Sequence, residues 1–203
     1  GGVISIGGAQ STVVAQATSL IADRYPGVKF QFFNGDAETL MERLDHGTLD
    51  FSILIEPVDL VKYEHLPLNE TDEWGLLMQK DCSLASKEII RPEDIQGVPL
   101  ILPQRIGLQR ELSAWAGIPM EQLNTIATFD ILFNNLSLLI KNGLGYAFAL
   151  RTLVDTSESP TLCFRPLEPA IKIQYGLAWK RYPIFSKAAE KFIEQIRELI
   201  DDQ

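Results

Sequence analysis

Several chemistries are excluded by what this chain is short of. No apolar run approaches the roughly 18 residues of a membrane-crossing helix, and no basic-then-apolar leader precedes a small-residue cleavage site, so a soluble cytoplasmic protein is expected and no membrane partner. Cysteine is scarce. Cys82 and Cys163 are the only two, far apart and in no CxxC or metal-like spacing, which predicts ordinary reduced thiols. The two histidines, His46 and His65, have no ligand-like neighbours at helical spacing, so no metal is expected. Basic residues are outnumbered: 18 Lys plus Arg stand against 27 Asp plus Glu, a net charge of −9, and such a field repels a polyanion. GxxxxGK[ST], the three-glycine dinucleotide pattern and the GxSxG elbow are all missing, which leaves no cofactor and no nucleophile to propose. The one dense acidic run, Glu70-Thr71-Asp72-Glu73, reads as a solvated loop rather than an acid–base pair.

What remains is a chain of 203 residues, 46% hydrophobic, long enough for a substantial core in one domain or two small lobes. Hydrophobic period predicts a strand at Val3 to Ile6, a helix from Ser11 ended by Tyr25-Pro26-Gly27, a strand at Val28 to Phe33, a helix at Ala37 to Leu44 and a strand at Leu49 to Ile55. That alternation implies a mainly parallel sheet covered on both faces. After Pro57 the pattern loosens until a strand at Trp74 to Met78. A second series follows: strand Pro99 to Leu102, helix Leu108 to Trp115, strand Asn124 to Phe129, helix Ile131 to Lys141 and strand Tyr146 to Leu150. Leu162 to Phe164, Ile171 to Trp179 and a long amphipathic helix from about Ile184 to Ile200, with Pro183 at its start, complete the order of elements. The two similar units suggest two lobes with a hinge.

Three loops stand at predicted strand ends, where parallel sheets place their ligands. Gly7-Gly8-Ala9-Gln10-Ser11-Thr12 opens a helix; its hydroxyls suit a helix cap, and the amides beside them suit a small carboxylate, and both roles stay open. Leu102-Pro103-Gln104-Arg105-Ile106-Gly107 repeats the arrangement, as a pocket wall or a Pro-directed turn. Thr128-Phe129-Asp130 forms the third, with Asp130 alternatively a cap. No catalytic set emerges, so the chain reads as a binder and not an enzyme.

Longer stretches carry a resemblance. Gly2-Val3-Ile4-Ser5-Ile6-Gly7, then Leu20-Ile21-Ala22-Asp23-Arg24-Tyr25-Pro26-Gly27-Val28, then Leu44-Asp45-His46-Gly47-Thr48-Leu49-Asp50-Phe51-Ser52-Ile53, then Leu139-Ile140-Lys141-Asn142-Gly143-Leu144-Gly145-Tyr146-Ala147 and Leu177-Ala178-Trp179-Lys180 together resemble the effector-binding domain of LysR-type transcriptional regulators. The resemblance implies an α/β fold of two Rossmann-like lobes, similar to type 2 periplasmic binding proteins, with lobe I at 1–74 plus 176–203 and lobe II at 75–175. A small effector, of the carboxylate, aromatic acid or amino acid class, would bind between the lobes and shift a dimer or tetramer on promoter DNA. DNA would be touched only through a winged helix-turn-helix preceding residue 1. Family position puts Ala9, Gln10, Ser11, Thr12, Pro103, Gln104, Arg105, Phe129, Asp130 and Phe148 around the effector; Ser11, Thr12 and Arg105 suit an anion, and Asp130 opposes one or binds an amine. The departures are Cys82-Ser83-Leu84-Ala85, where the family often has His-Pro-Leu-Ala, and Leu150, where proline is usual. Cys82 admits a redox reading, although its separation from Cys163 is unlike the close pair of peroxide-sensing members. A transporter's free-standing solute-binding protein, or an enzyme on the same scaffold, are the rival readings.

Overall fold

Residues 1–59, 61–131, 135–181 and 184–203 are described by the structure, a computed structural model. The chain divides into two units, Gly1–Thr71 with Gln174–Gln203, and Asp72–Ile173. The first boundary falls inside the 17-residue strand β4 (Tyr63–Gln79) and the second inside β9 (Lys172–Lys180), so both strands contribute to each unit.

In the first unit the strand order is β2-β1-β3-β9-β4, with β1 (Gly2–Gly8) parallel to β2 (Val28–Phe33) and to β3 (Phe51–Ile55). Helix α1 (Thr12–Arg24) buries Val13, Val14, Ala17 and Ile21, the spacing of one helical face. Helix α5 (Lys187–Asp201) packs beside it and against β1. Phe192 of α5 lies 5.3 Å from the Phe51 ring and 6.1 Å from Phe30, and Trp179 meets Phe51 edge-on at 6.0 Å. Three positions along β3 from Phe51, Leu54 faces the opposite way, as the strand period requires. There it joins Leu40 and Leu44 of α2 (Ala37–Asp45) with Leu49, Tyr63 and Ala178. The Tyr63 hydroxyl donates to Asp45 Oδ1 at 2.8 Å, and burial together with that carboxylate pushes its pKa up to about 12.

The second unit orders its strands β8-β4-β7-β5-β6, where β8 is Leu162–Pro166, β7 Tyr146–Leu150, β5 Leu100–Pro103 and β6 Thr125–Phe129. Leu77, Ile101, Ala147 and Ala149 meet Leu136 and Ile140 of the short helix α4 (Leu136–Lys141) on one face. Phe148, alternating to the other face, packs edge-on to Trp115 of α3 (Ile106–Ala116) at 6.1 Å, and Trp115 Nε1 donates to the Pro169 carbonyl at 2.8 Å.

Several expectations need correction. The expected parallel pairing holds for β1 with β2 and β3 and for β5 with β6 and β7, but antiparallel strands are added to it: β9 runs antiparallel to β3, and β7 and β8 run antiparallel to β4. The segment after Pro57 is no loose passage: β4 begins at Tyr63, its alternation disguised by Pro67 and by Asn69, whose φ of 56° departs from extended backbone within the strand. The last helix begins at Lys187, capped by the Ser186 hydroxyl, which accepts from the Ala189 N–H; Ile184 stands fully exposed ahead of it, and Pro183 lies outside the described residues. Of the helix expected at Ile131 to Lys141, Leu136–Lys141 is helical and 132–134 lie outside the described residues.

Candidate functional site

Gly7-Gly8 are required by packing. A Cβ on Gly8, whose φ is +105°, would stand 2.1 Å from the Ile53 carbonyl oxygen, and one on Gly7 would meet Leu40 at 2.7 Å and Leu49 at 2.9 Å. This close approach lets the Ala9 N–H donate to the Ile53 carbonyl at 3.1 Å, which turns the chain out of β1 toward α1. Gln10 is exposed, and Ser11 becomes the N-cap of α1, its Oγ accepting from the Val14 N–H at 3.0 Å.

The same helix start is occupied by a residue far along the chain. Glu70 of β4 takes the Ser11 hydroxyl on Oε1 at 2.5 Å, the Thr12 N–H on Oε2 at 2.9 Å and the Val13 N–H on Oε1 at 3.2 Å. Glu70 is therefore a structural anion at the positive end of α1, not a member of a solvated loop. Its neighbours in the acidic run are engaged too. Asp72 is buried and accepts from the Thr152 N–H and hydroxyl, and Glu73 pairs with Arg151 at 2.7 Å. Sequence reasoning missed all three, since nothing local marks a carboxylate whose partner is 59, 78 or 80 residues away.

In the second unit Pro103 pairs with Phe129 in the β5–β6 register, and the Gln104 N–H donates to the Phe129 carbonyl at 2.7 Å. This joins two of the expected loops at neighbouring strand ends. Gln109 of α3 secures the turn by donating Nε2 to the Pro103 carbonyl at 2.8 Å. Arg105, exposed, takes the N-cap position of α3 without a side-chain cap bond, and Asp130 is half-buried directly after β6. Phe129 is buried, and Phe148 has no exposed surface at all. Ala9, Gln10, Ser11 and Thr12 thus cluster in one unit, and Pro103, Gln104, Arg105, Phe129 and Asp130 cluster in the other.

Cys82 is half-buried and Cys163 buried, neither in a disulfide. Burial raises the Cys163 thiol, which suppresses the reactive thiolate, and burial with the adjacent Cys82 raises the Tyr146 phenol. Among the described residues no helix is long and apolar enough to cross a membrane.

Two α/β units with polar turns at their strand ends define a binding scaffold, and comparison with known proteins gives it a family. The family model of the LysR substrate binding domain matches residues 1–201. The chain belongs to that family. It is 23% identical over 179 residues to the uncharacterized HTH-type transcriptional regulator YfeR of Shigella flexneri, covering 86% of this chain and 56% of that protein. The chain thus spans little more than half the length of this relative. Among solved structures, the effector-binding domain of QuiR in complex with shikimate superimposes with a TM-score of 0.85 at 16% identity, over 99% of this chain and 98% of the other. The C-terminal domain of a probable LysR family regulator from Rhodococcus sp. RHA1 does so at 0.77 and 20% identity, over 97% and 98%.

Proposed function

We propose that this chain is the sensing domain of a transcription factor, recognising a small carboxylate, aromatic acid or amino acid without transforming it. The observation that carries this reading is the joined turn in the second unit, where Gln104 is pinned to Phe129 and Arg105 stands exposed at the start of a helix. A guanidinium beside backbone N–H groups is suited to a carboxylate, in bidentate geometry. Gln10, Ser11 and Thr12 are a second set of polar groups, carried by the first unit. A ligand favours one state of the domain only by its difference in affinity between states. That difference would pass to promoter DNA through self-association and a separate DNA-binding domain, since the net charge of −9 makes this domain a poor partner for DNA.

Shikimate, the ligand of the QuiR domain, is the first probe, followed by benzoate and the amino acids. Thermal unfolding of wild type and Arg105→Ala is the test. A ligand present at 100 times its Kd stabilises the wild type by about 2.7 kcal/mol, and Arg105→Ala is expected to lose most of that gain. Equal stabilisation of both proteins would remove Arg105 from the site.

A further inference from the structure

We propose that Glu70 is the built-in occupant of the anion position at the start of α1, so that the opening loop accepts an anionic group only by displacing it. This deepens, and rests on, the reading that Ser11 and Thr12 face the effector. A helix start offers an incoming anion its unsatisfied N–H groups. Here each is already taken: Thr12 and Val13 donate to Glu70, Val14 donates to Ser11 Oγ, and the Ala15 N–H donates to the Ser11 carbonyl at 3.0 Å inside the helix. The Ser11 hydroxyl, the remaining donor, is spent on Glu70 as well. The first turn of α1 holds no acidic residue of its own, and Glu70 brings its carboxylate by hydrogen bond to this end of the helix dipole. A second carboxylate arriving at these donors would meet no free proton and would face a like charge at hydrogen-bond range.

The position of Glu70 in the chain gives the contact its consequence. It follows Asn69, the one non-glycine residue of positive φ among the described residues, and stands one residue before the chain leaves the first unit at Thr71. Releasing Glu70 therefore frees a mid-strand residue of β4 from α1, one position before the unit ends. An anion at this loop would be coupled to β4 by competition, whereas a neutral hydroxyl would leave the contact in place.

The test is amide NMR with sodium sulfate as probe, at ionic strength matched with sodium chloride, on wild type, Glu70→Ala and Glu70→Gln. Wild-type Thr12 and Val13 amides are expected not to move. In Glu70→Ala both should shift saturably, with an affinity about tenfold or more above any wild-type response. Glu70→Gln, of equal size and one remaining acceptor, should fall between them, and it serves where the alanine variant does not fold. Wild-type amides that shift as strongly as those of the variants would overturn the proposal, as would folded variants whose amides stay still. The readout is independent of the effector: failure of the ligand screen removes the sensing site, while failure of the sulfate titration removes only the role of Glu70.

Discussion

A single methyl at Gly8 is enough to test how the opening loop is held. The Cβ of alanine would overlap the Ile53 carbonyl and demand a backbone of φ +105°, so Gly8→Ala is expected to cost about 3 kcal/mol or more, measured by urea unfolding. Asp50 is a gentler case. Its carboxylate accepts from the Ser5 N–H at 2.8 Å, yet burial outweighs that bond and raises its pKa above the ordinary 3.8. The folded chain therefore holds this proton more tightly than the unfolded one. Stability from Asp50 is greatest below the ordinary value and declines as pH rises through the window above it. Asp50→Asn keeps an acceptor for Ser5 and removes the charge, so its stability relative to wild type should rise from acid to neutral pH in thermal melts. A relative stability of Asp50→Asn that falls from acid to neutral pH would contradict this. Neither effect was legible beforehand: glycine pairs and an aspartate after a turn are common, and their neighbours here come from β3 and β1.

Elements were legible where their signals are local. Val28 to Phe33 and Tyr146 to Leu150 were expected with the boundaries observed for β2 and β7, because dense apolar residues end in turn-forming ones. The first half of β4 was hidden. Glu64, Pro67 and Glu70 argue against a strand locally, and what makes it one is pairing with β9, over a hundred positions away in sequence. The last helix shows the same competition in small: proline seemed its start, but the cap that counts is Ser186. Ser186→Ala should lower stability by about 1 kcal/mol, with lost amide protection concentrated in the first turn of α5. The candidate site was legible as a set of strand-end loops and illegible as chemistry, since the carboxylate that fills one of them comes from the acidic run that composition alone assigned to solvent.

At the scale of the molecule, each unit has its own aromatic and aliphatic core. Phe51→Ala removes the ring that touches Trp179, Phe185 and Phe192, a loss of about 3 to 5 kcal/mol. Hydrogen exchange should report that loss at Ile4, Ile6 and Phe30, with much smaller changes at Leu77, Ile101 and Ala147. Uniform loss across both sets would mean that the units unfold as one. The units also differ in how the chain supplies them. Asp72–Ile173 is continuous, whereas the other unit takes β9, Phe185 and Phe192 from the final stretch beginning at Gln174. During synthesis the segment made second can thus fold first, and the segment made first must wait on the ribosome for the last to arrive. Nascent chains arrested just after Ile173 has emerged should resist protease in the middle and be cut within Gly1–Thr71, so the order of birth and the order of folding are reversed in this domain.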